Sequence, residues 1–340
     1  MEEQGKQVRL TSGEIAQLWQ QYMNDTSSIC MLTYFLEKAE DGEIKPIIEY
    51  ALEQSQAHIQ KITAILTEEK NHIPHGFKLE EDVDLTAPRL FSDSFALNFV
   101  HQMAKIGLTA YSASLASSAR SDITSYYEEC LTETMQLYKR SKDLLLSKGL
   151  YVRAPYFPNL EQADFVKKQS FLWDIFGEKR SLTAMETTNL HSNIQRNSLG
   201  SALLVGFSQV AKSKEVTQFL LRGSDIAKKN IKILGEKLAE SNLPIPSTWD
   251  ADVTKSTTHT FSEKLMMFYT SALITLGVGY YGTAIAESPR VDLGAMYNRL
   301  TLETQKYAED GSNIMIKNGW LEQPPMAPDR KELAKEKGKG

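Results

Sequence analysis

The chain has 340 residues, 41% hydrophobic and 24% charged, with a formal net charge of −5. This is the balance of a soluble globular protein long enough for about two domains, and without a basic stripe it excludes a nucleic-acid footprint. Two cysteines, Cys30 and Cys130, exclude a disulfide framework and read as small core residues.

The amino terminus, MEEQGKQVRL, carries acids at once and no apolar run, so no secretory signal is expected and the cytoplasm is the expected compartment. Four helical runs follow, at about 12–40, 43–71, 92–119 and 122–147. In the second, Ile47, Ile48, Ala51, Leu52, Ser55, Ile59, Ile62, Ile65 and Leu66 recur at helical spacing. Ser92 is the expected N-cap of the third run and Asp122 stands in the same place for the fourth. Gly149 ends the fourth run as a C′ residue, with prolines beyond it that forbid continuation.

The apolar stretch that comes next holds Phe165, Phe171, Leu172, Trp173, Ile175 and Phe176 and is too apolar for a free tether. After it the same series begins again. Leu10 and Thr11 pair with Leu182 and Thr183, and the register runs without a gap to Pro74 and Pro246. It resumes at Phe91/Phe261 and Ser92/Ser262 and continues through Gly107/Gly277, Arg120/Arg290, Asp122/Asp292 and Gly149/Gly319. Two copies indicate duplication and not a solenoid. The expected organisation is a first four-helix bundle at 10–159, a docked connecting segment at 160–181, a second bundle at 182–329 and a solvated Lys-rich tail at 330–340.

Within each copy the first and last helix pairs are joined by short turns, and a long link joins the second helix to the third. Short, long, short is the connectivity of ferritin-like bundles. The fold class expected is therefore all-α: two tandem ferritin-like four-helix bundles with pseudo-twofold symmetry. Residues Leu265 to Ala286 are all uncharged, but the matching segment of the first copy contains Asn98, His101, Gln102 and Lys105, which argues against a membrane span. This uncharged helix and its neighbouring glycines, Gly200, Gly206, Gly277, Gly279 and Gly282, point to an extensive buried contact between the bundles or between chains.

Over nearly the whole chain, stretches such as LTAMETTNLHSNIQRNSLGSALLVGFSQVA, PSTWDADVTKSTTHTFSEKLMMF and EDGSNIMIKNGWLEQPPMAPDR resemble the family catalogued as domain of unknown function 3231. The resemblance implies a ferritin-like fold, occurrence in spore-forming bacteria and a distant likeness to spore coat protein F. It implies no catalytic residues.

A ferritin-like di-metal centre needs inward carboxylates and a Glu-x-x-His pair on each of two helices. The nearest candidates are Glu53 and Glu133 in the first copy and Asp225 and Glu303 in the second, each without histidine at the required position. Gln56, Gln136, Lys228 and Lys306 stand there instead, and a lysine repels a metal ion. One true Glu-x-x-His, Glu69 to His72, lies at a helix end with His75 close by. None of the six histidines recurs in the other copy; His58, for example, is opposite Asn230. Tyr111, Tyr127, Tyr281 and Tyr297 do recur, as core residues or as the lining of a site for a small apolar ligand. No phosphate loop, nucleophile elbow or CxxC pair is present. The expected function is that of a structural or interaction protein, without cofactor or working metal centre, partnered by other chains or by itself. The alternative is a metalloprotein binding iron or manganese through atypical ligands.

Overall fold

The computed structural model describes residues 8–172 and 179–336, so Trp173, Ile175 and Phe176 lie outside the described residues. Eight long helices carry the architecture: α1 (Ser12–Lys38), α2 (Lys45–Glu68), α3 (Asp93–Ser117) and α4 (Ser121–Ser147), then α5 (Ala184–Val210), α6 (Lys214–Ala239), α7 (Glu263–Glu287) and α8 (Val291–Lys317). Each set of four packs as a bundle, with α1 on α2, α3 on α4, α5 on α6 and α7 on α8 as its tightest pairs. These are the pairs joined by short turns.

Local chemistry sets the helix ends. Thr11 and Thr183 close capping boxes with Glu14 and Glu186 at the starts of α1 and α5. Both glutamates are fully buried, because each also reaches another helix start: Glu14 accepts from the backbone N–H groups of Ala119 and Arg120, each at 2.9 Å, and Glu186 accepts from that of Arg290 at 3.1 Å. One carboxylate thus satisfies the N-termini of two helices, where the helix dipole favours negative charge. Ser92 and Ser262 cap α3 and α7 as expected, each accepting at 3.1 Å from the N–H three residues on. Asp122 and Asp292 are not caps. They sit in the first turn of their helices and hold Arg120 and Arg290 by paired hydrogen bonds.

Gly149 and Gly319 both have φ of +68° at the ends of α4 and α8. The N–H of Leu150 donates to Leu145 O and that of Trp320 to Met315 O, at 2.8 and 2.9 Å, which is the Schellman closure. The apolar residue after each glycine, Leu150 or Trp320, turns back onto the core.

The long links between the second and third helices are exchanged between the copies. Val83 pairs with Phe261 and Phe91 with Val253 in two isolated antiparallel bridges. Around them Asp82 accepts from the N–H and hydroxyl of Ser262, at 2.8 and 2.5 Å, while Asp252 accepts from those of Ser92, at 2.9 and 2.6 Å. Each link therefore tethers the cap of the other copy's third helix, in a pseudo-twofold arrangement. Aromatic packing follows the same exchange: Phe261 meets Tyr34 edge-on at 4.9 Å, and the Phe91 ring lies where a Cβ on Gly206 would come within 2.5 Å of it. The largest apolar core is accordingly shared, running from Met23 to Phe35 of the first copy to Leu199 to Val210 and Phe261 to Met267 of the second. A smaller distal core closes the far end of each bundle.

Two expectations are corrected. In α3 every residue from Phe95 to Gln102 is buried, whereas in α7 only Leu265, Met266, Met267, Thr270, Tyr281 and Ala284 are. The uncharged helix is the less buried of the pair, although its Phe268 and Tyr269 also meet Phe77 and Phe99 of the first bundle, at 4.8 and 5.9 Å. Gly277, Gly279 and Gly282 face open space, and of the five glycines only Gly206 serves a close approach between the bundles. In the connecting segment, Leu160 and Phe165 are 92% and 82% exposed, so its first part does not dock. Contact begins at Phe171, which lies under the Arg180 guanidinium at 4.0 Å, and at Leu172, whose carbonyl accepts from Val291 N–H at 3.3 Å.

Candidate functional site

The distal half of the first bundle holds a buried charged chain to which three helices contribute. His58 of α2, 4% exposed, faces Asp25 of α1 with Nδ1 and Glu133 of α4 with Nε2, each at 3.2 Å. From α3, Tyr111 presents its ring to the imidazole at 5.8 Å, and Tyr126 of α4 does so at 6.1 Å. Helical spacing explains the convergence: Gln21 and Asp25 share a face of α1, and Cys130 and Glu133 share a face of α4. Gln21 Nε2 reaches Tyr111 Oη at 3.4 Å and Cys130 Sγ at 3.8 Å, which ties α1, α3 and α4 together.

Burial alone would depress the His58 pKa, but the hydrogen bond to Asp25 and that carboxylate's charge outweigh it and raise it well above the usual histidine range. The ring is therefore an imidazolium, and its two N–H groups each donate to a carboxylate. The carboxylates sit on opposite edges of the ring, so neither ring nitrogen keeps a lone pair for a metal ion, and Asp25 and Glu133 do not converge on a common point with it. Among the described residues no group of three or more His, Cys, Asp or Glu side chains is disposed to hold a metal. These residues do not fit the di-metal centre that a ferritin-like scaffold suggests.

The second bundle repeats the geometry without the charge. Asn197 replaces Asp25, Asn230 replaces His58 and Leu300 replaces Cys130. Asn197 and Asn230 both donate to Tyr281 Oη, at 3.1 and 3.2 Å, and Asn230 lies 3.4 Å from Asn197 Oδ1. Glu303, in the place of Glu133, pairs with Lys229 at 2.6 Å on the outside. A charged pair has been exchanged for a neutral pair of similar shape.

The residues singled out from the sequence are dispersed. Only Glu133 lies in the charged chain. Glu53 and Asp225 are exposed, Glu69 binds Arg120, and His72 and His75 are exposed, the latter 3.7 Å from Glu81. Tyr111 packs on Tyr127 at 6.4 Å and Tyr281 on Tyr297 at 5.8 Å, each pair inside its distal core. A cavity of about 480 Å³ lies elsewhere, between α6 and α8 over Phe219, walled by Glu215, Arg222, Asp310 and Lys317. His58 and Asp25 belong to no Glu-x-x-His pattern, since Ser55 stands three residues before the histidine. The signal that would have found them is their joint replacement by asparagines in the second copy.

Fold and site together define a tandem pair of interlocked four-helix bundles in which the first has charged groups, Asp25 and His58, where the second has Asn197 and Asn230. The chain belongs to the family DUF3231, described as a protein of unknown function, whose profile matches it twice, over residues 1–162 and 170–333. No curated protein matches. Among solved structures, one from Bacillus halodurans C-125, titled a "putative spore coat protein", is similar at 17% identity and a TM-score of 0.40, over 46% of this chain and 99% of that one. Among the described residues no helix is long and apolar enough to cross a membrane.

Proposed function

We propose that the protein is a non-enzymatic structural or interaction protein whose duplicated ferritin-like scaffold presents a segment for binding other chains. The observation that carries this reading is the segment after α4. Tyr156, Leu160, Phe165 and Val166 are 83%, 92%, 82% and 62% exposed, a concentration of apolar side chains in solvent within eleven residues. The buried site is compatible with the same reading, because both nitrogens of the His58 ring are taken up by hydrogen bonds to Asp25 and Glu133.

The test replaces Tyr156, Leu160, Phe165 and Val166 with serine in the full chain and follows association in extracts of growing cells and of spores, the compartment suggested by the family resemblance. Loss of a specific complex with the unfolding midpoint unchanged is the expected outcome. An undiminished complex would sink the assignment to this segment. One or two equivalents of iron, manganese or zinc in protein purified without chelator or affinity tag would overturn the reading in favour of a metalloprotein.

A further inference from the structure

The junction where α3 of the first bundle lies on α5 of the second gathers basic groups without an acid among them. His101 and Lys105 stand one turn apart on α3, and His191 and Arg196 come from α5. The chain leaving α4 passes between the two histidines. Tyr151 sets its ring against His101 at 5.8 Å, Val152 O accepts from Gln195 Nε2 at 3.0 Å, and the Arg153 backbone acts on His191, favouring its protonated form. Arg196 lies flat on Tyr280 at 3.6 Å. Lys105 and Arg196 are half-buried, so the cluster reaches the surface, while His101 and His191 are 3% and 5% exposed.

Three nitrogens here are shut away from solvent without any partner: His101 Nε2, His191 Nε2 and Arg196 Nη1. The positive charges act on one another. Burial depresses Lys105, with Arg196 adding to the effect, and burial with Lys105 depresses both histidines. Lys142 also bears on His101, and among the described residues no carboxylate acts on any of the four groups. Ser141 Oγ donates to Leu137 O at 2.8 Å and accepts from His101 Nδ1–H at 3.0 Å, so Nε2 donates only when the ring takes up a second proton, which a bound anion favours.

The duplication supplies an internal control. The residues in the places of His101, Lys105, His191 and Arg196 in the other copy are Ser271, Thr275, Trp19 and Asn24. All are neutral, so the packing of the two bundles does not call for these charges. Buried cations without a counter-charge are costly, and the missing component is an acceptor that carries negative charge. Arginine and lysine side by side with additional nitrogen donors match an oxyanion.

We propose that the α3–α5 junction binds a small oxyanion, a phosphate or carboxylate group held between Lys105 and Arg196 with His101 and His191 beneath it. The test is calorimetric titration of the full chain with inorganic phosphate, and separately with citrate, in chloride of matched ionic strength. The variant Lys105→Thr with Arg196→Asn installs the residues of the other copy and tests the assignment. A saturable heat near one equivalent per chain, weakened at least about tenfold in the folded double variant, is the expected result. The anion that binds more tightly identifies the group. Equal binding by wild type and variant would mean an adventitious ion only, and the absence of saturable heat with both anions would equally overturn the proposal. Should the double variant fail to fold, Lys105→Thr alone serves the same comparison.

Discussion

Replacing His58 by asparagine, the residue the second bundle has in that place, leaves Asp25 buried with its charge and without its main donor. The expected loss is about 3 kcal/mol, as for other broken buried pairs. Adding Asp25→Asn recreates the neutral pair of the second bundle and should recover most of it, a coupling that urea unfolding of the four proteins in a double-mutant cycle measures. The pH dependence follows from the raised pKa. His58 moves from its ordinary 6.5 up to about 11, so its contribution is complete below pH 6.5 and is lost as the pH rises towards 11. Wild type should therefore lose stability relative to the Asn/Asn variant across that window, and parallel curves would refute the imidazolium. Glu14 behaves in the opposite sense. Burial opposes its charge, but the backbone N–H groups of Arg120, Thr11 and Ala119 prevail and lower its pKa, so its contribution is present above pH 4.5 and lost as the pH falls below it. Glu14→Gln should cost about 1–3 kcal/mol at neutral pH, with the difference shrinking in acid. Both residues were partly visible in the sequence. Glu14 recurs as Glu186, but its reach to a second helix start depends on the third dimension, and His58 lay outside the pattern that was sought.

At the scale of helices the sequence was most informative, because end signals are local. The observed bounds of α1 to α4 fall within three residues of the expected runs, and both Schellman glycines stand where the repeated framework put them. Burial was less readable: an uncharged helix was expected to be the more enclosed, yet the helix carrying His101, Gln102 and Lys105 is the more buried one. The glycines make the distinction measurable. Gly206→Ala drives a methyl group to within 2.5 Å of the Phe91 ring and should destabilise by about 1–3 kcal/mol. Gly277→Ala adds its methyl in open space within a helix and should stabilise by about 0.5–1 kcal/mol. Equal effects of the two changes on the urea midpoint would contradict the packing between the bundles described above.

At the scale of the molecule, two copies need not mean two folding units. The largest core belongs to both bundles, and each crossover link holds the capping serine of a helix in the other. The repeat and its connectivity could be read from residue spacing; the exchange of links could not, since Asp82 and Asp252 carry no local mark of a partner in the other copy. Heating should give one cooperative transition for the whole chain, with calorimetric and van't Hoff enthalpies in agreement. Residues 1–162 expressed alone should not be a stable monomer, because Phe91, Phe95 and Phe99 would lose the second copy's cover. A cooperatively folding monomeric half, seen by size exclusion and calorimetry, would contradict this.

The exchanged links also bear on descent. A single-copy forerunner with this crossover would have an aspartate with no serine to hold and a third helix with no tethered cap, and a twin molecule would supply both at once. Fusion of the genes then makes a symmetric dimer permanent and removes the requirement that its halves stay alike. The Asp25–His58 pair facing Asn197–Asn230, and Lys105 facing Thr275, are differences that halves so released would be free to carry.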